Sequence, residues 1–301
     1  MKIFSGNSNK TFAKNVAKDL NLELSPMEIF VFPDKEKRIR IEERVVDENC
    51  VVVESTGEVA DINYMELFLI INALKRSGAK EIKALIPYFG YQRQDHIFRD
   101  GEGVSLEVIA KTLSAVGVTE VLSFDLHTPK IPQLFSVPLK HLSAIPEFVK
   151  IIKKELANDD IVLVSPDMGG IRRIKEVSEL LGNISFASVV KNRDLATGNI
   201  EDSGLEGQVN GKVSIIVDDM ISTGNTMAEA ADLLLKNGST KVIAFATHAV
   251  FSKESKDILQ NSNIEKVYVT DTLEIPEDRK FEKLEIVSVS KVAAEALKEK
   301  I

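Results

Sequence analysis

The feature that most constrains the fold is a rhythm. Short runs rich in β-branched and apolar residues alternate with amphipathic stretches of helical length. Strands are expected at 2–4, 51–54, 82–87, 121–125, 161–165, 184–190, 213–217, 242–246 and 267–270. Helices are expected at 12–20, 61–77, 105–116, 171–181, 226–237 and 290–300. Strands that are apolar throughout must be covered on both faces, so the rhythm implies α/β architecture with mainly parallel sheets flanked by helices.

The chain also resembles itself. NALKRSGAKEIKALIPYFG, near residue 80, reads like DLLLKNGSTKVIAFATHAV, near residue 240: a helix end, a glycine stop, then a strand leaving at similar spacing. VVVESTG at Val51 echoes IIVDDMISTG at Ile215. The general likeness of α/β units accounts for this as well as duplication does. With 301 residues there is room for two domains. The boundary is expected near Pro146, giving 1–145 and 146–301, with the last helix docking on either half.

A net charge of −8 argues against nucleic-acid binding, which wants a basic face. The single cysteine, Cys50, excludes an intramolecular disulfide and a Cys-rich zinc site, and its valine neighbours make it a buried thiol. The longest purely apolar run, 67–71, falls far short of a membrane span, and the opening MKIFSGNSNK has no apolar stretch of signal length. A cytoplasmic protein with no membrane partner is expected.

The densest chemistry lies in SIIVDDMISTGNTM, 214–227. An apolar run leads into Asp218 and Asp219, where ligands collect at the carboxyl ends of parallel strands. Ser222, Thr223, Gly224, Asn225 and Thr226 then supply amides, hydroxyls and an unhindered backbone to receive an oxyanion at the start of a helix. Carboxylates suit a sugar's hydroxyls, and the turn suits its phosphate. An ordinary capped strand–turn–helix is the competing reading. The stretch resembles the phosphoribosyl diphosphate binding motif of phosphoribosyltransferases and ribose-phosphate diphosphokinases. With PYFGYQRQD (87–95), FDLHTP (124–129), VSPDMGG (164–170) and KNR (191–193) in this order, nearly the whole chain resembles the second family.

That resemblance implies two similar phosphoribosyltransferase-like domains, the first on the ATP side and the second binding ribose 5-phosphate. It implies transfer of the diphosphoryl group of ATP to the 1-hydroxyl of ribose 5-phosphate, with Mg2+ as cofactor. It also implies a homo-oligomer, dimer-based and up to a hexamer. In FPDKEKRIRI, similar to the family's ATP loop, Phe32 would lie against adenine, with Asp34 and Glu36 on its polar edge or the ribose; a solvated charged hairpin fits the same run. Arg93 and Gln94 would contact ATP. His127 and Asp167 would serve the metal, Asp167 alternatively the ribose hydroxyls or a helix cap. Lys191 and Arg193, on a mobile flap, would be catalytic. Asp218 and Asp219 would face the sugar. Lys35, Gly103 and Ser222 depart from the family's usual glycine, proline and aspartate; if Lys35 needs a positive φ, the strain is roughly 1 kcal/mol. A phosphoribosyltransferase and a non-catalytic regulatory homologue are the alternatives.

Overall fold

The computed structural model describes residues 1–193 and 200–299, without the side chains of 191–193 and 200–203. The chain divides into two compact units: Met1–Ser143 with Thr272–Glu274 and Ser288–Ile301, and Ala144–Asp271 with Ile275–Val287.

The first unit runs β1 (Lys2–Ser5), α1 (Lys10–Asp19), β2 (Met27–Val31), β3 (Lys37–Ile41), β4 (Asn49–Val53), α2 (Ala60–Arg76), β5 (Glu81–Leu85), α3 (Ser105–Val116), β6 (Glu120–Phe124) and β7 (Leu139–Leu142). Its five-stranded sheet has the order β1-β4-β5-β6-β7, with every pair parallel. Val52 and Ala84 are buried on the sheet, and Leu67, Ile70, Ile71 and Leu74 give α2 its inward face. Cys50 is buried in β4, and burial pushes its thiol up to about 11.

The second unit runs α4 (Ile145–Glu155), β8 (Ile161–Ser165), α5 (Ile171–Leu180), β9 (Phe186–Arg193), β10 (Ile200–Glu206), β11 (Val213–Ile221), α6 (Asn225–Lys236), β12 (Lys241–Ala249), α7 (Ser255–Asn261), β13 (Lys266–Thr270) and β14 (Leu284–Val287). Seven strands lie in the order β10-β9-β8-β11-β12-β13-β14, all parallel except β10, which is antiparallel to β9 at the edge. The last helix, α8 (Ser290–Lys298), belongs to the first unit, where the Ser290 hydroxyl donates to the Asp19 carboxylate at 2.7 Å.

The self-similar segments close their helices alike. α2 ends at Gly78 (φ 89°) and α6 at Gly238 (φ 90°). The next amide in each case, Ala79 or Ser239, donates back to Leu74 or Leu234, at 3.1 and 3.0 Å. Lys80 and Thr240 then enter their strands by donating to Glu48 and Lys212. A left-handed glycine stop followed by a buried strand is therefore a repeated structural unit here.

Two expectations need correction. β11 does not stop at 217 but runs to Ile221, so Asp218 and Asp219 lie inside a strand. β8 pairs with β11 only as far as Ile216, whereas β12 stays paired through Ile221, so the aspartates occupy the stretch that has outrun one neighbour. β9 likewise continues to Arg193, past the strand end expected at 190, because β10 supplies a partner. The charged run after Phe32 follows the hairpin reading: it is the second arm of an antiparallel pair, β2–β3. Its turn carries Lys35 at φ 75°, the left-handed region where a side chain costs roughly 1 kcal/mol.

Candidate active site

The carboxyl edge of the second sheet concentrates acid. Asp218 and Asp219 on β11 both meet Arg173 on α5: Nη1 donates to Asp218 Oδ1 at 2.9 Å and Nη2 lies 3.5 Å from Asp219 Oδ1. The Asp219 amide also donates to Asp218 Oδ1, at 2.8 Å. Burial, then the charge of Asp219, hold the Asp218 carboxyl well above the usual carboxylate range despite the pull of Arg173.

Beyond β11, Ser222, Thr223 and Gly224 form the turn, and α6 starts at Asn225. Gly224 is the N-cap at φ 89° and brings no capping side chain, so the first amides of α6 are left for a ligand, save a 3.4 Å bond from Asn225 N–H to Thr223 Oγ1. The turn is pinned from behind by the Ser252 amide, which donates to Ser222 O at 2.9 Å. Gly224 also packs closely: a Cβ there would lie 2.9 Å from Leu259 Cγ. Gly224→Ala therefore combines left-handed strain with a clash and should destabilise the protein by roughly 1–3 kcal/mol. A urea midpoint equal to that of the parent protein would show that the turn is not held in this conformation.

Just past β8, Asp167 is exposed and acts as a cap: its Oδ1 accepts from Gly170 N–H at 3.1 Å, while the Ser165 hydroxyl donates to the Asp167 carbonyl at 2.6 Å. Lys191 and Arg193 lie on the terminal residues of β9, and their side chains lie outside the described residues.

In the first unit, two of the motifs are laced together. PYFGYQRQD follows β5 and DLHTP follows β6, neighbouring parallel strands. The His127 amide donates to the buried Gln92 Oε1 at 2.9 Å, and Thr128 Oγ1 donates to Asp95 Oδ2 at 2.7 Å. Asp95 Oδ1 takes His96 Nδ1 at 2.6 Å. Burial pushes Asp95 up, but its bonds to Thr128 and His96 outweigh that, and its carboxyl sits below the usual value. His127 itself is exposed. Glu102 closes the stretch before Gly103, accepting from the amides of Phe98 and Arg99 at 3.0 and 3.1 Å.

Arg93 and Gln94 line a cleft of about 490 Å³ with Thr56, Val59, Tyr88 and Tyr91. Glu36 and Lys35 line a second, of about 460 Å³, with Lys37, Met65 and Leu69. Asp61 and Ile62 belong to both, so the two clefts adjoin. Phe32 and Asp34 lie outside both linings. Phe32, 37% exposed, packs edge-on against Phe30 with centroids 4.9 Å apart, and the Arg38 guanidinium sits 6.0 Å from its centroid. Asp34 Oδ1 accepts from the Glu36 amide at 3.2 Å, which shapes the turn.

Among the described residues no three His, Cys, Asp or Glu side chains form a metal cage. Mg2+ needs none: it keeps its waters and takes one or two carboxylates plus substrate phosphates. Asp167, with one oxygen spent on the cap, fits such a role.

Residues 1–117 match the family model described as the N-terminal domain of ribose phosphate pyrophosphokinase, and 199–301 match the phosphoribosyl synthetase-associated domain. The ribose-phosphate pyrophosphokinase of Fusobacterium nucleatum subsp. nucleatum is 39% identical over 298 residues, covering 99% of this chain and 94% of that one. The chain belongs to the ribose-phosphate pyrophosphokinase family. It is an enzyme, a diphosphotransferase of nucleotide biosynthesis. The Aquifex aeolicus ribose-phosphate pyrophosphokinase is 38% identical, over 99% of this chain and 95% of its own. The crystal structure of phosphoribosylpyrophosphate synthetase from Mycobacterium smegmatis superposes with a TM-score of 0.93 at 33% identity, covering 98% of this chain and 97% of that one. Pyrophosphokinases of this kind use ATP, which is consistent with a metal cofactor. No described helix is long and apolar enough to cross a membrane.

Arg173 gives no signal in the sequence. IRRIK reads as an ordinary helix start. Only the packing of α5 against β11 gives its second arginine two carboxylates.

Proposed function

We propose that this chain transfers the β,γ-diphosphoryl group of ATP to the 1-hydroxyl of ribose 5-phosphate, giving AMP and phosphoribosyl diphosphate. The observation that carries the reading is one strand–turn–helix in which an arginine-anchored carboxylate pair precedes a helix start with free amides. Asp218 and Asp219 accept from the sugar hydroxyls, and Ser222, Thr223, Gly224, Asn225 and Thr226 hold the 5-phosphate. On the ATP side, Arg93, Gln94 and Glu36 line adjoining clefts, with Phe32 and Asp34 on the hairpin that carries Glu36. His127 in the first unit and Asp167 in the second are each assigned to Mg2+, which would neutralise triphosphate charge when bound. Lys191 and Arg193 stabilise charge on the transferring group. The domain division expected near residue 146 assigns ATP to the first unit and the sugar phosphate to the second. A dimer-based homo-oligomer, up to a hexamer, in the cytoplasm completes the proposal.

The test is AMP release from ATP with and without ribose 5-phosphate. Release that needs the sugar phosphate is the expected result. AMP formation indifferent to it defeats the reading. Phosphoribosyltransferase activity, the alternative, would instead consume phosphoribosyl diphosphate with a base and need no ATP; the adjoining clefts of the first unit weigh against it.

A further inference from the structure

We infer that Arg173 is a positioning residue for the acceptor sugar: it fixes the Asp218 carboxylate so that one oxygen is held and the other is kept for a ribose hydroxyl. This rests on the assignment of Asp218 to the sugar. Both donors that reach Asp218, Arg173 Nη1 at 2.9 Å and the Asp219 amide at 2.8 Å, converge on Oδ1. Neither N–H donor reaches Oδ2, and the other group against this carboxyl is the Asp219 side chain. A carboxylate held through one oxygen cannot rotate freely, so the direction of its second acceptor is set before the sugar arrives, and less ordering is left to occur on binding.

The same guanidinium answers an electrostatic difficulty. Asp218 and Asp219 are consecutive and poorly solvated, their side chains 16% and 5% exposed, and Arg173 is 11% exposed. Two such carboxylates repel each other, which is part of why Asp218 holds its proton more tightly than usual, and once both are ionised they would repel an arriving phosphate. One arginine, reaching a separate carboxylate with each of two nitrogens, cancels half of that charge. A lysine ammonium is a point charge without the planar fork, so it can replace the charge but not the double reach. Arg172, the neighbouring arginine on α5, is exposed and points its charge to solvent rather than to the pair.

The experiment compares Arg173→Met, Arg173→Lys and Asp218→Asn in the full-length protein, measuring KM and kcat for each substrate together with melting temperature. Arg173→Met should raise KM for ribose 5-phosphate about 10- to 100-fold and leave KM for ATP within about two-fold. Arg173→Lys should fall between it and the parent. Asp218→Asn should also raise KM for the sugar phosphate. If Asp218→Asn leaves that constant unchanged, the sugar assignment falls and the role of Arg173 falls with it. If Asp218→Asn raises it but Arg173→Met shifts only the melting temperature, or shifts both KM values equally, the positioning role is overturned and the sugar site stands. Should Arg173→Met not fold, Arg173→Lys decides: an unchanged KM for ribose 5-phosphate overturns the role.

Discussion

Replacing Lys191 with alanine is expected to lower kcat about 100- to 1,000-fold while KM for ATP stays near that of the parent, the cost of deleting one pre-positioned partner of developing charge. Backbone register supplies the reason. β9 pairs in parallel with β8 up to Ser188 opposite Ser165, so Lys191 lies three residues beyond the last pair and Asp167 two residues beyond it. β11 is parallel to β8 on its other side, and Asp218 follows two residues after its last pairing with β8, at Ile216. All three positions therefore sit on one edge of one sheet, where the strands of a parallel α/β unit collect ligands. In the proposed role a cation on that edge would act on the transferring group, whose charge is shared among several oxygens, so its loss should be felt in turnover more than in ground-state nucleotide binding. Steady-state AMP release at saturating ribose 5-phosphate measures both constants. A parental kcat would remove Lys191 from catalysis.

How much of this is legible in the sequence depends on where each signal resides. Strands buried on both faces, such as β4, β8 and β12, announce themselves as continuous apolar runs, and expected and observed limits agree within a few residues. The helix of 105–116 ends where Gly117, at φ 115°, stops it. The hairpin β2–β3 is legible only as a charged hairpin without strand limits, because KRIRI alternates charge with isoleucine on a half-exposed surface. β10 and β14 are hidden as edge strands, and α7 as a helix of only seven residues. α4 is strongly amphipathic, yet the proline of IPEF reads as a break between domains; it occupies the first turn of the helix, where a missing N–H costs nothing. At the site, the turn of 222–224 and the helix start after it are readable from small residues at fixed spacing. Arg173 is not, since its role comes from the packing of two elements 45 residues apart in sequence. The same holds for Glu54, a single acidic letter in the self-similar VVVESTG stretch, whose burial only the packed structure reveals.

Glu54→Gln should stabilise the protein at pH 8 and above by several kcal/mol and do almost nothing near pH 4. Glu54 is 1% exposed, and neither carboxylate oxygen has a partner at full hydrogen-bond geometry among the described residues, Ser8 offering only weak support. It packs on Gly6, where a Cβ would fall 1.7 Å from Oε2, so glycine there is a steric requirement of the buried acid. Burial, then the charge of Glu66 on α2, push Glu54 up to about 8, with the nearby Ser8 and then Lys37 of β3, itself bonded to Glu66, offsetting only part. The folded state therefore keeps a proton that the unfolded chain has already released. Between about pH 4.5 and pH 8 the unfolded state binds fewer protons, so stability falls as pH rises and levels off above 8. At about 1.4 kcal/mol for each pH unit of that window the full cost is on the order of 5 kcal/mol, and the glutamine gains less than that because its amide also needs a partner. Urea midpoints at pH 5 and pH 8.5 separate this from a simple packing effect: the titration account requires the advantage of the variant to grow between the two, and an equal advantage at both would leave Glu54 ionised in the folded protein.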